Sequence, residues 1–353
     1  MGLEVSILKE DEQEEYERYI LQKEDSLIYL STKYRELLEE LLNDKSYYLI
    51  AKENNHIVGV FPCFLRESDK YGNVLNSLPF YGSTGSIISD NEMVKEKLLS
   101  AYYQLSKDFH CVASTIITSP FEKENAWYKK NTSPQFVDER IGQITFLPGG
   151  DGNESERLWR AIDTKTRNII KKAQKSGVVV EIDNSIEGMD FLYRNHVDGM
   201  NKIGGLAKKK KFFELIPQYF IQGMEYNIYI AKLDEKKIAA CLLLYFNGTV
   251  EYFVPVTQEG YRSYQPLSLI IFEAMKEAMI KGFKRWNWGG TWLTQKGVYD
   301  FKRKWGTTDL MYYYYVNIFD MSILKIDKED ILSEYENYFV YPFNGKMGVM
   351  DDE

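Results

Sequence analysis

Two stretches of this chain repeat one another in outline, and that repetition limits the fold more than any other feature. In the first half, Tyr47 to Lys52, a turn at Asn54-Asn55 and Ile57 to Phe61 read as a β-hairpin. In the second, Tyr229 to Lys232, a turn at Asp234-Glu235 and Ile238 to Phe246 read the same way. Both first strands contain Ile-Ala-Lys, at Ile50-Ala51-Lys52 and Ile230-Ala231-Lys232, and both hairpins are rich in β-branched and aromatic residues around a polar turn. The flanks match too. Apolar spacing predicts helices over 11–23, 31–42 and 91–108 around the first hairpin, with strands over 111–118 and 136–147. Around the second it predicts helices over 155–162, 164–176, 186–203, 210–222 and 266–281, with strands over 178–182, 249–257 and 285–288. Asn247-Gly248 reads as a two-residue hairpin turn, Gly177 as a helix C′ position and Pro266 as a first helical residue. An internal duplication accounts for these parallels. It predicts an α+β fold of two fused domains, each a mixed, largely antiparallel sheet flanked by helices.

The 353 residues suit two domains at ~150 residues each. Pro148-Gly149-Gly150-Asp151-Gly152-Asn153 is the best linker, so the expected domains are 1–149 and 150–325, with a helical tail over 326–353. Hydrophobic residues at 44% supply a core and exclude a mainly disordered chain. A formal charge of −8 argues against coating nucleic acid through bulk positive charge. Cys63, Cys111 and Cys241 are too few and too scattered for a disulfide framework or a zinc site, and no metal is expected. The acidic start, Met1 to Tyr19, lacks the apolar region of a signal peptide. Apolar runs such as Ile238 to Phe246 are about half the length of a membrane helix. A cytoplasmic protein without a spanning segment is the expectation.

Leu158-Trp159, followed by Lys165-Thr166-Arg167-Asn168, Lys171, Ala173, Lys175 and Gly177-Val178, resembles the opening of the second domain of FemAB-type acyltransferases. Asn287-Trp288-Gly289-Gly290, then Gly297-Val298-Tyr299-Asp300-Phe301-Lys302-Arg303-Lys304-Trp305-Gly306, resembles that family's C-terminal signature. The resemblance covers residues 150–320 and reaches the first half only through its pattern of elements. It implies two fused GNAT-like domains (the acyl-CoA N-acyltransferase fold). It also implies transfer of an aminoacyl or acyl group to an amine of a cell-envelope precursor in peptidoglycan synthesis, with aminoacyl-tRNA the favoured donor. A second reading is an acyl-CoA-dependent N-acyltransferase acting on an amino sugar or nucleotide-linked sugar in surface-polysaccharide synthesis. A third is an inactive precursor-binding protein of the same fold. In the first two, aminoacyl-tRNA or acyl-CoA is a co-substrate rather than a tightly bound cofactor, and the partners are a phosphorylated precursor and tRNA.

Such a reaction joins a neutral amine to an activated carbonyl. It needs a destination for one proton and a stabilised oxyanion, but no nucleophilic side chain. His56, His110 and His196 lie in unrelated contexts, and no G-x-S-x-G elbow accompanies them. By resemblance, Phe301 and Lys302 belong to the active site, with Lys302 acting as a point charge on a phosphate or on the oxyanion. Glu251 and Asp300 are candidate bases. Donor contacts are expected from Ser263, Gln265 and Ser268, at the start of the 266–281 helix, and from Gly289 and Gly290. That helix start lacks the further glycines of a pyrophosphate loop, and Pro266 removes one amide, which counts against CoA. Acceptor contacts are expected from Tyr81, Gly82 and Ser83 through backbone amides, and from the cations Arg167 and Lys202.

Around Arg167, the residues Lys165, Asn168 and Lys172 share one helix face while Ile169 and Ala173 turn inward; a merely solvated basic face stays open as the alternative. The Lys208 to Lys211 run beside Gly204-Gly205 reads as a loop that either touches a phosphorylated ligand or is simply solvated. Trp286, Trp288 and Trp292 stand near the signature as candidate walls of an acyl pocket.

Overall fold

The computed structural model describes residues 2–80, 82–150 and 152–343. They fall into two compact units, one of the described residues up to 141 with those from 311 onward, the other of those from 142 to 310. The first unit begins β1 (Glu4–Ile7), α1 (Gln13–Leu21), α2 (Thr32–Leu42), β2 (Lys45–Ser46), β3 (Leu49–Glu53), β4 (His56–Phe61) and β5 (Phe64–Arg66). It continues with β6 (Asn73–Asn76), β7 (Ile88–Ser89), α3 (Glu92–Asp108), β8 (Cys111–Ile117), α4 (Asn125–Thr132) and β9 (Phe136–Phe146), which runs on into the second unit. That unit holds α5 (Glu154–Ala161), α6 (Thr164–Lys175), β10 (Val179–Ile182), α7 (Ile186–Lys202), α8 (Lys210–Tyr219), β11 (Tyr226–Leu233) and β12 (Lys236–Phe246). After β13 (Thr249–Thr257), α9 (Pro266–Ile280), β14 (Arg285–Trp292) and α10 (Lys296–Arg303), the chain returns to the first unit along β15 (Thr308–Ile318), and α11 (Lys328–Glu334) follows.

In the first unit β1, β3, β4 and β7 form one antiparallel sheet, while β2, β5, β6, β8 and β15 are successive neighbours in another. In the second, β10 to β14 are neighbours in chain order, antiparallel except for the parallel pair β13–β14. The fold is thus mixed α+β with largely antiparallel sheets. Helix starts follow their caps: the Ser31 hydroxyl accepts from the Tyr34 amide at α2, and the Asn91 side chain accepts from the Val94 amide at α3. α9 is apolar nearly all round because it is covered nearly all round, burying Leu269 to Phe272, Ala274, Met275 and Ala278.

The duplication is visible in the register. β1 sets Glu4 opposite Lys52 and Val5 opposite Ala51; β10 sets Val179 opposite Lys232 and Val180 opposite Ala231. Both hairpins shift register at the shared Ala-Lys step. Both turns place two successive residues at positive φ, 51° and 65° at Asn54-Asn55 and 48° and 63° at Asp234-Glu235, the geometry that matches strand twist. A helix then leads into a strand of a parallel pair in each half: α3 into β8 beside β6, and α9 into β14 beside β13.

The unit boundaries fall inside β9 and β15, and so differ from the expected breaks at 149/150 and 325/326. The Pro-Gly-rich stretch after β9 is a loop of the second unit, held where the Leu147 amide donates to the Lys284 carbonyl (2.8 Å) and Arg157 donates to the Gly149 carbonyl (2.8 Å). Composition identifies a loop, but a loop need not divide domains. The segment after α11 joins the first unit. The Tyr335 hydroxyl donates to the Gly72 carbonyl (2.7 Å), the Phe80 amide to the Asn337 carbonyl (2.8 Å) and the Thr115 hydroxyl to the Phe339 carbonyl (2.8 Å). The end of the expected tail, 344–353, lies outside the described residues. On α6 the inward residues are Thr166, Ile170 and Ala173, so the buried stripe sits one residue round from the expected Ile169.

Candidate active site

β13 and β14 pair only at their beginnings, Thr249 to Glu251 with Arg285 to Asn287, although β13 continues to Thr257 and β14 to Trp292. The last paired register holds two buried polar side chains, Glu251 (2% exposed) and Asn287 (3%). The Asn287 amide nitrogen donates to both Glu251 carboxylate oxygens, at 3.1 and 2.9 Å, and its Oδ1 accepts from the Gly289 amide at 2.9 Å. Gly289 has φ +71°, the left-handed region, and a Cβ there would meet nothing within 4 Å. Glycine is therefore required by the backbone, not by space.

α10 carries Lys302 back against the Gly289–Gly290 stretch of β14. Its ammonium donates to the carbonyls of Gly289 and Gly290, both at 3.2 Å, and to the Thr291 hydroxyl at 2.9 Å. Thr291 donates in turn to Gln143 Oε1 (3.3 Å), and Gln143 Nε2 lies within donating distance of the Tyr299 carbonyl (3.3 Å) and the Thr307 hydroxyl (3.4 Å). Lys302 is 6% exposed, and burial lowers its pKa to about 8. An ammonium has three protons to donate, and here three acceptors inside the protein meet them. Arg303 and Lys304 point outward, as a solvated basic face would.

Trp288, on the same strand, belongs to an aromatic cluster. Trp286, Trp288 and Trp305 are buried, Phe301 meets Trp288 edge-on at 6.1 Å, and the Trp288 indole donates to Thr145 at 2.9 Å. Phe301 thus anchors α10 on the core. Trp292 is 47% exposed and stands apart from this cluster, so the expected grouping of three tryptophans contains only two of those named. Asp300 is ion-paired with Arg303 at 3.2 Å.

A cleft of about 890 Å³ opens in the same unit between α7 and the 257–263 segment. It brings together Lys202, expected to bind the acceptor, and Ser263, expected to bind the donor. Lys202 pairs with Glu259 at 2.7 Å, and Arg194, Lys237 and Arg262 add further positive charge, set against Glu187, Asp190 and Asp198. Gln265 stands at the N-cap of α9 in the left-handed region without a side-chain capping bond, Pro266 opens the helix, and Ser268 is buried in its first turn. Gly289 and Gly290 of β14 meet Lys302 of α10, and none of the three lines this cleft.

The other expected acceptor residues are placed differently. Tyr81 lies outside the described residues. Gly82 is exposed at φ +99°, but the Ser83 hydroxyl is buried 2.7 Å from that of Tyr34, so its side chain belongs to the core of the first unit rather than to a ligand surface. Arg167 donates to Thr164 at 2.8 Å on its own helix and does not line the cleft. The lysine run is not uniformly solvated. The Lys208 amide donates to His196 Nε2 (3.0 Å), its ammonium lies 5.0 Å from the Phe253 ring, and burial with the Lys208 charge lowers the His196 pKa to about 4. The sequence reading missed Gln143 and Thr291. Asn287 was visible only as a letter in the signature.

Among the described residues no helix is long and apolar enough to cross a membrane, and no three His, Cys, Asp or Glu side chains gather as metal ligands. Residues 222–311 match the FemAB family. A search of curated protein sequences gives no match. Among solved structures, FemX aligns with a TM-score of 0.73 at 14% identity, over 91% of this chain and 99% of FemX. A tandem GNAT protein from the clavulanic acid biosynthesis pathway aligns at 0.56 and 8% identity, over 90% of this chain and 98% of its own. The C-terminal domain of a putative lysylphosphatidylglycerol synthetase from Agrobacterium fabrum aligns at 0.55 and 10%, over 91% and 96%. At these identities the structural likeness is one of fold. Fold and matched segment together define a tandem GNAT-like acyltransferase. The segment that matches the FemAB family takes in Glu251, Asn287, Gly289 and Lys302.

Proposed function

We propose that this acyltransferase works in the cytoplasm and moves an aminoacyl group from aminoacyl-tRNA to an amine of a phosphorylated peptidoglycan precursor. The observation that carries this reading is the Gly289–Gly290 stretch of β14, gripped by Asn287 and Lys302 within the FemAB-matched segment. Backbone dipoles fixed in advance need no reorganisation when charge develops on a reacting carbonyl. In the transfer, the amine nitrogen forms a bond to the ester carbonyl carbon, the bond to the ribose oxygen breaks, and one amine proton ends on that oxygen. The cations of the cleft support binding of phosphates, and its carboxylates support binding of an aminoacyl ammonium.

A second reading, transfer from acyl-CoA to an amino sugar, is favoured by the first turn of α9, where amides without a side-chain cap and the neighbouring Ser263 and Ser268 suit a phosphate. The two separate in one assay. The protein is incubated with radiolabelled aminoacyl-tRNA or acetyl-CoA, each with a nucleotide-linked peptidoglycan precursor or an amino sugar. Label passing from tRNA to the precursor is the expected outcome. Transfer from CoA alone would select the second reading, and precursor binding without any transfer would mark an inactive binding protein.

A further inference from the structure

We propose that Asn287, Thr291 and Gln143 are positioning residues that, with Lys302, hold the Gly289–Gly290 stretch of β14 in a single conformation for the transfer; this rests on the acyl-transfer reading above. The Gly289 residue is gripped at both ends, its N–H by Asn287 (2.9 Å) and its carbonyl by Lys302 (3.2 Å), with φ at +71°. The next carbonyl, of Gly290, meets the same ammonium at 3.2 Å. Because the third proton goes to Thr291 (2.9 Å), the ammonium has none left for a substrate oxygen unless one of these bonds opens. Its charge therefore acts through the two glycine carbonyls. A cation on a carbonyl polarises the whole peptide group, so the amides of Gly290 and Thr291, which share those groups, become stronger donors.

Each end of the clamp is itself fixed. Asn287 is oriented by both oxygens of the buried Glu251 carboxylate. Thr291 is oriented by Gln143, which is fully buried on β9 and reaches the Tyr299 carbonyl of α10 and the Thr307 hydroxyl ahead of β15. A tether through four segments of chain is more than helix packing needs. It leaves the ammonium, the two carbonyls and the glycine stretch one geometry.

The test uses the full chain and three readouts: transfer kinetics with aminoacyl-tRNA and acetyl-CoA, amide hydrogen exchange at Gly289 and Gly290, and the ¹³Cε titration of Lys302. In Thr291→Val, kcat should fall about tenfold or more with KM unchanged, Lys302 should titrate at lower pH, and the glycine amides should exchange faster. Thr291→Ser keeps the hydroxyl and should restore all three. Should Thr291→Val not fold, Gln143→Met, which removes the bond to Thr291 without touching Lys302, is read the same way. Unchanged exchange and titration in a folded variant overturn the clamp. Absence of transfer by the wild type with either donor overturns the acyl-transfer reading instead, since exchange and titration report on the clamp independently.

Discussion

Glu251 and Lys302 act on one residue from opposite sides. The carboxylate orients Asn287, which accepts the Gly289 N–H, while the ammonium takes the Gly289 carbonyl. A buried acid and a buried cation are thus linked through a glycine in the left-handed region. Removing the middle of this chain should be felt as lost stability. Asn287→Leu withdraws two donors from a buried carboxylate and an acceptor from the Gly289 amide, so its unfolding free energy should fall by about 1–3 kcal/mol. Urea unfolding of the two proteins measures this, and a change below a few tenths would show that the network is not a stabilising one.

Lys302 gives the stability a pH dependence with a definite sign. Burial lowers its folded pKa to about 8, whereas the unfolded side chain titrates near 10.5. Between these values the unfolded state binds more protons, so stability rises with pH across that window, toward a ceiling of about 3 kcal/mol. Lys302→Met has no such titration. The wild-type minus variant unfolding free energy should therefore grow from about pH 8 to 10.5, and a flat difference would refute the burial of the charge. Turnover should run the other way, because the clamp's proton donors diminish as pH passes through about 8.

What could be read beforehand follows from how locally each feature is encoded. The hairpins were legible because alternation and a polar turn within a dozen residues determine them. The unit boundaries were not, since they fall inside β9 and β15, where nothing in composition changes. Lys302-Arg303-Lys304 reads as one basic run, yet successive residues on a helix face different ways, and only Lys302 turns inward. Gln143 carried no signal at all: an amide on a strand matters here through Thr291, Tyr299 and Thr307, far along the chain. Ser83 was expected to offer its backbone amide to a ligand, but that amide donates to the Phe80 carbonyl at 3.1 Å, and the Tyr34 hydroxyl meets its side chain in the core.

The segment after α11 should behave as part of the first unit. The Asn76 side chain reads the Phe339 backbone in both directions, its Nδ2 donating to the carbonyl (3.0 Å) and its Oδ1 accepting from the amide (2.8 Å). Asn76→Leu keeps the bulk but leaves Thr115 and Phe339 to hold the segment, and should cost about 1–3 kcal/mol. Limited proteolysis within 335–343 should become faster in the same variant. Unaltered cleavage there would mean that the bonds made by Tyr335, Phe80 and Thr115 hold the segment without Asn76.

The cleft beside α7 offers a test that leaves the fold untouched. Lys202 and Arg262 are exposed, and the Lys202–Glu259 pair spans surface residues, so replacing both cations by alanine should move stability by no more than about 0.5 kcal/mol. If the cleft receives the phosphates of a precursor or of tRNA, wild-type affinity should fall as salt is raised, because the attraction between exposed charges is screened. The double variant should bind about tenfold more weakly at low salt and show a shallower salt dependence, since fewer charges contribute. Binding isotherms at two salt concentrations, for the precursor and for tRNA separately, identify which ligand uses the cleft. Identical isotherms for wild type and variant with both ligands would place phosphate recognition elsewhere.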